Sequence, residues 1–502
     1  MVSRKEYVVV FPFMAEGHII PFLALALKLE QERNFAISFV NTPRNINKLR
    51  SSLPPHSAIR LLEIPFNGEE HGLPPGAEST ESLPIHLHFR LIQSSPSLKP
   101  AFRELLSELV CESNGIPPMC VISDIFFPWS ADVAHEFGSS HAIFNAGCGY
   151  GMAVYHTAWL NLPHLNAKSE ECPLPGFPNG TTFCVTKFPE RLRQTKEPSE
   201  FALTLFREWS KTDAMLFNTI EEIDQTGMKY FRDNFPFPAF PIGPIFSYQQ
   251  TSATLVADSM VCMDWLDKKP PKSVLYIAFG SQSTPSIAQM KALASALEAS
   301  EVNFLWVARR PSSFAALSPE NDQEWLPRGF EERIKRSGKG MLVKKWAPQK
   351  EILAHGSVGA FLSHCGWNST MEALANGLPI LSWAMSAEQP FNAKMLEEEL
   401  KVCVEVANGS DSQVNSEQIV GKIKMVMEGK EGEEMRKRAS EIMKKIKNAT
   451  CDDNATARGS SVKALDEFCV FASQKRNMYL YCPNKIDDKK CRPELEASVV
   501  LV

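Results

Sequence analysis

Residues 346–389 read WAPQKEILAHGSVGAFLSHCGWNSTMEALANGLPILSWAMSAEQ, and this stretch decides the predicted fold. An apolar strand over residues 358–362 leads into the turn SHCGWNS at 363–369, and helical spacing follows over 370–375. A strand, a glycine-containing turn and a helix in this order present free backbone N–H groups to an anion, and the helix dipole adds partial positive charge. The stretch therefore predicts a site for a phosphorylated ligand at the carboxyl end of a strand.

Polar side chains in the same stretch are suited to a ribose or a sugar. His364 lies at the strand exit, where open α/β sheets bind ligands. Glu372 falls in the first helical turn, within reach of a hydroxyl group. A second apolar segment, residues 379–383, is again followed by a turn and then by Glu388 and Gln389. Together these groups indicate a nucleotide site that also holds a sugar.

Single residues in this pattern also have a plainer interpretation. Asn368 and Ser369 are favoured at helix N-caps in any protein, and Glu372 is typical of a solvated first turn. The residue types alone leave both interpretations open.

The stretch closely resembles the donor-binding signature of plant UDP-dependent glycosyltransferases that act on small molecules, in length and in nearly every signature position. This resemblance implies a role for each matching residue. It implies that Trp346 stacks on the uracil ring, that Ala347 and Gln349 contact the base and ribose, that His364, Asn368 and Ser369 hold the diphosphate, that Glu372 binds the ribose hydroxyls, and that Trp367, Glu388 and Gln389 meet the sugar.

The identity of the donor sugar is also argued by resemblance. Trp367 occupies the position where Arg is associated with glucuronic acid donors, and Gln389 the position where His is associated with galactose. The expected donor is therefore UDP-glucose, with UDP-xylose or another neutral sugar as the alternative. Glu388 departs from the family, which usually has Asp there, and its longer side chain bears on the choice of donor.

Two residues in the first half of the chain are candidates for a catalytic pair. His18 follows the first predicted strand, and Asp124 follows another, so both side chains can meet at one edge of a parallel sheet. A carboxylate on one imidazole nitrogen fixes the tautomer and leaves the other nitrogen free to take a proton from a hydroxyl group. On position alone, a histidine after a glycine is more often a capping or loop residue, and Asp124 can equally be a helix cap.

The segments FPFMAEGHIIP and CVISDIFFPW resemble the family's catalytic-histidine and activating-aspartate motifs. The resemblance implies that His18 is the base and Asp124 its partner. Glu16 departs from the family, which often has Gln there. The segment FGSQS at 279–283 matches the loop after the first strand of the family's donor domain. Ser281 and Ser283 are therefore candidate diphosphate ligands, although a plain turn is an equal interpretation.

The composition excludes several classes of protein. The 502 residues suffice for two domains, and the 44% hydrophobic and 22% charged residues are normal for a soluble globular chain. A net charge of −5 argues against a nucleic-acid partner. There is no apolar run of about 18 residues for a membrane span, and residues 8–13 fit a buried strand better than a signal peptide. The 12 cysteines include no C-x-x-C pair, so we expect a cytoplasmic protein with reduced thiols.

Strands and helices alternate twice along the chain, on either side of a proline-rich segment. This predicts an α/β protein with two Rossmann-like domains facing a cleft, the GT-B type that the resemblance implies. The expected organisation is an acceptor-binding domain at 1–243, a linker at 244–263, a UDP-sugar-binding domain at 264–455, a helix returning to the first domain at 456–472 and a partly disordered tail at 473–502.

The implied activity is inverting transfer of glucose to a hydroxyl group of a plant phenolic, flavonoid or terpenoid, giving a β-glucoside. The predicted acceptor pocket comprises residues 85–89, 126–129 and 147–150, which are apolar and aromatic. We expect no metal, no cofactor besides the UDP-glucose co-substrate, and a monomer. Two other classes stay open: a non-catalytic nucleotide-sugar-binding protein, and a dinucleotide-dependent oxidoreductase, against which the missing G-x-G-x-x-G run counts.

Overall fold

Two parallel sheets with crossover helices organise the chain. The computed structural model describes residues 5–178, 180–197, 199–246, 253–280, 282, 284–309, 325–344, 346–409, 412–453 and 457–481. Ser281 and Ser283, which the sequence analysis placed at the diphosphate, lie outside the described residues.

The N-terminal domain is built on a seven-stranded sheet. Its strands are β1 (Tyr7–Phe11), β2 (Ala36–Asn41), β3 (Arg60–Glu63), β4 (Cys120–Asp124), β5 (Ser140–Asn145), β8 (Ala214–Phe217) and β9 (Ala239–Pro241), with a separate hairpin of β6 (Glu171–Pro173) and β7 (Thr182–Cys184). The seven strands of the sheet lie in the order β3-β2-β1-β4-β5-β8-β9, and all neighbouring strands in it are parallel. The helices are α1 (Glu16–Arg33), α2 (Pro43–Arg50), α3 (Ile85–Gln93), α4 (Lys99–Glu112), α5 (Ser130–Glu136), α6 (Gly149–Asn161), α7 (Glu190–Gln194), α8 (Glu200–Trp209) and α9 (Gln225–Asn234).

The C-terminal domain is built on a six-stranded parallel sheet. Its strands are β10 (Val274–Ala278), β11 (Asn303–Val307), β12 (Gly340–Val343), β13 (Val358–Ser363), β14 (Ile380–Ala384) and β15 (Cys403–Asn408), in the order β12-β11-β10-β13-β14-β15, and a two-residue hairpin pairs β16 (Asp452–Asp453) with β17 (Ala457–Arg458). The helices are α10 (Ala253–Leu266), α11 (Ile287–Ser300), α12 (Phe330–Ser337), α13 (Gln349–Ala354), α14 (Trp367–Ala375), α15 (Gln389–Lys394), α16 (Ser416–Glu428), α17 (Lys430–Ala449) and α18 (Ser460–Tyr481).

The inner strands are apolar because both of their faces are covered. Every residue of β4 and β5 is buried, and near-continuous runs of Val, Ile and Phe are typical of such strands. β1 pairs directly with β4, with Phe11 opposite Ser123. In the other sheet β10 pairs with β13, with Ala278 opposite Ser363. The loops that leave these neighbouring strands therefore meet in pairs at the carboxyl edge of each sheet.

An apolar seam joins the two domains. Phe391 of α15 packs against Phe183 and Phe188 of the N-terminal domain, with ring centroids 5.0 and 6.0 Å apart. The hydrophobic core that contains Phe217 of β8 also contains Phe361 of β13. One continuous core therefore runs through both domains.

The linker and the tail differ from their predicted boundaries. Residues 253–263 belong to α10, so this part of the predicted linker is helical. The prediction that the tail starts at residue 473 is wrong, because α18 continues to Tyr481. Residues 482–502 lie outside the described residues. In the part of the chain that the structure describes, no helix combines the length and the apolar character that a membrane span needs.

Polar contacts explain why α18 extends past residue 472. Arg476, which is buried, donates to both carboxylate oxygens of Glu6, one of them at 2.9 Å. The Tyr479 hydroxyl donates to Asp213 of the N-terminal domain. α18 also packs against β5 and β9. The sequence after residue 472 carries no clear apolar period, and these contacts are visible only in the fold.

We expect truncation after Ala472 to lower the melting temperature by several degrees relative to truncation after Tyr481. The shorter chain loses the Arg476 and Tyr479 contacts, and a loss of 1 kcal/mol shifts the melting temperature of a large domain by about 2–4 °C. Differential scanning fluorimetry measures the difference. Equal melting temperatures for the two truncated chains would show that residues 473–481 contribute nothing to the fold.

Candidate active site

His18 and Asp124 meet at the carboxyl edge of the N-terminal sheet. Asp124 ends β4, His18 lies in the first turn of α1, and the Nδ1 atom of His18 is 2.8 Å from Oδ2 of Asp124. Asp124 is 0% exposed, and its other carboxylate oxygen accepts from the Phe126 N–H at 3.2 Å. A carboxylate acceptor at Nδ1 assigns the proton to that nitrogen. The Nε2 atom is thereby left as the proton acceptor.

The surroundings of His18 set its basicity. The rings of Phe13 and Phe126 lie 5.6 and 5.5 Å from the imidazole centroid. Burial lowers the pKa of His18, but the charge and hydrogen bond of Asp124 and the charge of Glu388 outweigh it, so the net pKa is raised above 6.5. The His18 side chain is 26% exposed, and its raised pKa makes it a stronger base, so it can take a proton from a hydroxyl group.

Glu16 lies two residues before His18 but interacts elsewhere. Lys48 Nζ lies 3.6 Å from its carboxylate. Burial and the neighbouring Glu81 raise the pKa of Glu16 to about 7, against the lowering by Lys48. The charges that raise the pKa of His18 come from Asp124 and Glu388. Glu16 therefore belongs to a separate cluster with Glu81 and Lys48.

On the opposite side of the cleft, His364 follows β13 directly and is enclosed by two glycines. A Cβ atom added at Gly280 or at Gly366 would lie 2.4 Å from its Nε2 atom. Burial, with a smaller contribution from the charge of Arg309, lowers the pKa of His364 to about 4. The imidazole is therefore neutral near pH 7 and can donate an N–H group to an anion without carrying charge.

α14 begins at Trp367, three residues earlier than the sequence predicted, so Asn368 and Ser369 lie in its first turn. Cys365, just before this helix, has a φ of +60°. A non-glycine residue in this region costs about 1–3 kcal/mol and persists only where the surroundings enforce it. The N–H groups of the first turn have no partner within an α-helix, so this end can receive an anion.

The predicted ribose ligands are together. The side-chain amide of Gln349 donates to Ser369 Oγ at 3.0 Å and to Glu372 Oε2 at 2.7 Å. Burial raises the pKa of Glu372, while the bond from Gln349 lowers it. Trp346, which is half-buried, and Ala347, which is buried, precede α13 in the same loop. The structure brings the base-binding and ribose-binding candidates to one end of the domain.

The side chains of the three predicted sugar ligands lie in different surroundings. The Trp367 side chain is 3% exposed, and its indole N–H donates to the Asn218 carbonyl at 2.6 Å. The contact of Trp367 with the sugar stays a prediction, and its backbone N–H at the start of α14 is the group left for that contact. Gln389 Oε1 accepts from the N–H groups of Met385 and Ser386, which leaves its amide nitrogen. Glu388 is half-buried, and its charge acts on His18.

Three members of the predicted acceptor pocket belong to the core instead. Phe127, Trp129 and Tyr150 are buried, and their rings pack against other aromatic side chains. Phe126 is half-buried and touches His18, while Ile85 is 58% exposed. In the sequence, an aromatic residue that belongs to the core and one that lines the cleft look alike after a strand, so only the fold separates the two kinds.

Some residues at the site carried no functional prediction. Gln282 donates to Thr80 Oγ1 of the other domain at 2.9 Å, and Asn392 donates to the Cys365 carbonyl at 3.0 Å. Asn218 bonds to both domains. The sequence signal for Asn218 was its position as a polar residue directly after an apolar strand.

Among the described residues, no group of three or more His, Cys, Asp or Glu side chains is arranged to hold a metal ion.

Two facing Rossmann-like domains, with a His–Asp pair on one and a helix N-terminus built for an anion on the other, define a nucleotide-sugar transferase. The family model described as "UDP-glucoronosyl and UDP-glucosyl transferase" matches residues 203–447. UDP-glycosyltransferase 92A1 of Arabidopsis thaliana is 42% identical over 426 residues, 83% of this chain and 87% of that protein. Crocetin glucosyltransferase 3 of Crocus sativus is 37% identical, and the match covers 83% of this chain and 89% of that protein.

The solved structure of UGT2 from Phytolacca americana, in complex with UDP-2fluoro-glucose and pterostilbene, is similar to this chain with a TM-score of 0.73. It is 28% identical, and the likeness covers 94% of this chain and all of that one. The chain belongs to the plant UDP-glycosyltransferases of glycosyltransferase family 1, is an enzyme of that kind and has their GT-B fold. The resemblance and the fold class predicted from the sequence are confirmed, and the oxidoreductase alternative is wrong.

We expect Gly366→Ala to weaken UDP binding at least tenfold. The new methyl group would overlap the His364 ring, so the ring must leave its position at the helix N-terminus. The matched control is Gly421→Ala within α16, where an added Cβ has no neighbour within 4 Å and the helix gains about 1 kcal/mol. Isothermal titration with UDP measures both. Unchanged affinity in Gly366→Ala would show that His364 is not a ligand of the diphosphate.

Proposed function

We propose that this chain transfers glucose from UDP-glucose to a hydroxyl group of a plant small molecule, with inversion at the anomeric carbon. One observation carries the proposal. The side-chain amide of Asn368, in the first turn of α14, donates to the Gly17 carbonyl at 3.3 Å, and Gly17 precedes His18. The candidate base and the candidate diphosphate site are therefore one hydrogen bond apart across the cleft.

In the proposed reaction, His18 Nε2 takes the proton of the acceptor hydroxyl as its oxygen attacks the anomeric carbon. The bond between that carbon and the β-phosphate oxygen breaks, and UDP leaves with the electron pair. Asp124 stabilises the imidazolium that forms. The N–H groups at the start of α14 and the neutral His364 stabilise the negative charge of the leaving diphosphate. Attack from the face opposite the leaving group gives a β-glucoside.

Glucose as the donor sugar rests on Gln389 and the named relatives, because the Trp367 side chain is buried in its bond to the Asn218 carbonyl. The chain is 37% identical to a crocetin glucosyltransferase and 30% identical to an anthocyanin 3'-O-beta-glucosyltransferase of Gentiana triflora. A second candidate is another neutral sugar, because a flavanone glucoside rhamnosyltransferase of Citrus maxima is 33% identical. Glu388 is the residue to vary when these donors are compared.

The acceptor is proposed to be a hydroxylated phenolic, flavonoid or terpenoid. Phe13 and Phe126 form an aromatic wall beside His18. Phe89 of α3, in the predicted acceptor segment 85–89, lies against Phe201, and the Arg191 guanidinium lies 3.6 Å from its ring centroid. Such surfaces suit flat, largely apolar acceptors. The cytoplasmic location and the monomeric state stay predictions.

We expect UDP release from UDP-glucose to depend on acceptor, and to fall about 10²–10⁴-fold in His18→Ala because the base is removed. A coupled UDP assay with a panel of phenolic, flavonoid and terpenoid acceptors measures it, and UDP binding by each variant shows whether the donor site is intact. Acceptor-dependent release that survives unchanged in His18→Ala would overturn the assignment of the base. UDP-glucose that binds without any acceptor stimulating release would count against the proposed acceptor classes.

The pH profile tests the electrostatics of the base. His18 must be neutral to accept a proton, and its pKa is raised above 6.5, so kcat/KM is expected to rise with pH and to reach half of its maximum above pH 6.5. Asp124→Asn removes the main raising charge, so the acid limb moves to lower pH while the maximum falls. Glu388→Gln moves the limb in the same direction by less. Half-maximal kcat/KM at or below pH 6.5 in the native enzyme would contradict the raised pKa of His18.

A further inference from the structure

Asn218 lies where the N-terminal domain, the inter-domain linker and the donor helix meet. It directly follows β8, at the carboxyl edge of the N-terminal sheet, and is 1% exposed. Its Oδ1 atom accepts from the Ile245 N–H at 2.6 Å, where the chain leaves the first domain. The approach is close: a Cβ added at Gly243 would lie 2.5 Å from the Asn218 carbonyl carbon. The linker is thus fixed against this residue.

Asn218 also contacts the donor helix, while its backbone N–H and its side-chain nitrogen donate to the Asn145 and Ala146 carbonyls at 3.0 and 3.4 Å. Its carbonyl accepts from the Trp367 indole N–H at 2.6 Å, and its side-chain nitrogen donates to Asn368 Oδ1 at 3.2 Å. Trp367 and Asn368 are the first two residues of α14. One buried residue therefore bonds to the linker and to the end of the helix proposed to hold the diphosphate.

The bond to Asn368 also decides which end of that amide faces the cleft. An asparagine side chain has an acceptor oxygen and a donor nitrogen. Because Asn218 donates to the oxygen, the Asn368 nitrogen is turned the other way, and it bonds to the Gly17 carbonyl at 3.3 Å. A diphosphate accepts hydrogen bonds and repels a carbonyl oxygen. Only the orientation enforced by Asn218 turns the donor nitrogen of Asn368, and not its carbonyl oxygen, toward the cleft.

We propose that Asn218 is a positioning residue that acts through Asn368: it orients the Asn368 amide toward the diphosphate and holds the start of α14 against the His18 loop. This inference rests on the proposed function, since it takes the start of α14 as the diphosphate site. It adds a residue of the acceptor domain to the determinants of donor binding. Asn218 is 1% exposed, so its proposed effect on the donor passes through its hydrogen bonds to other residues.

The experiment is a double-mutant cycle on UDP-glucose affinity without acceptor. Asn218→Ala and Asn368→Ala are each expected to weaken binding about tenfold. If Asn218 acts through Asn368, the double variant binds no more weakly than Asn368→Ala alone, because the orientation of a missing amide has no effect. A residue that only supports the fold would weaken binding by the same factor in both backgrounds.

Asn218→Asp separates the linker bond from the Asn368 bond. The isosteric carboxylate still accepts from Ile245 but cannot donate to Asn368. We expect it to bind UDP-glucose at least as weakly as Asn218→Ala does, and to lose kcat as well. Its melting temperature reports on folding, so a well-folded variant with weak binding supports the inference. An Asn218→Asp variant with native affinity would overturn it.

Asn41→Ala is the matched control. Asn41 is also buried at the end of a strand of the same sheet, but its side chain bonds to Pro12, Thr42 and Asn45 within the N-terminal domain. It is expected to lose stability and keep its affinity for UDP-glucose. Equal loss of affinity in Asn41→Ala and Asn218→Ala would overturn the inference. If the native chain itself fails to bind UDP-glucose, the proposed function fails first.

Discussion

The carboxyl edges of two parallel sheets face one cleft, and a buried seam holds them there. In a parallel sheet all strands deliver their following residues to the same edge, so each domain offers one set of polar side chains. The Trp367 indole bond to the Asn218 carbonyl and the packing of Phe391 on Phe183 and Phe188 fix the two sets against each other. Without this seam, the base and the leaving-group site would each be complete but too far apart to act on one substrate.

Two histidines with opposite electrostatic surroundings face each other across this cleft. Burial lowers the pKa of both, but His18 has the carboxylates of Asp124 and Glu388 nearby, whereas His364 has the charge of Arg309. The first is therefore a stronger base than a free imidazole, and the second stays neutral with a pKa of about 4. Pairs of titratable groups whose surroundings separate their pKa values indicate distinct roles. The roles proposed for them are proton acceptor for His18 and neutral hydrogen-bond donor for His364.

The sequence alone predicted what depends on local order along the chain. The strand-turn-helix pattern around His364 and the strand ends that carry His18 and Asp124 are local, and the parallel sheets bring them together. What it missed depends on docking between elements that are distant in sequence. Whether Trp367 points at a sugar or into a seam, and whether α18 stops at residue 472 or 481, is decided by partners more than a hundred residues away. The roles of Asn218 and Asn392 are of the same kind.

In the proposed reaction, His18 and the start of α14 act on opposite sides of one anomeric carbon in a single displacement. The most direct test is the configuration of the product, read from the coupling constant of its anomeric proton by NMR after turnover of UDP-glucose, which is an α-linked donor. The account requires a β-glucoside, with the large coupling of two axial protons. An α-glucoside would mean retention, and it would contradict both the single displacement and the placement of the base opposite the diphosphate.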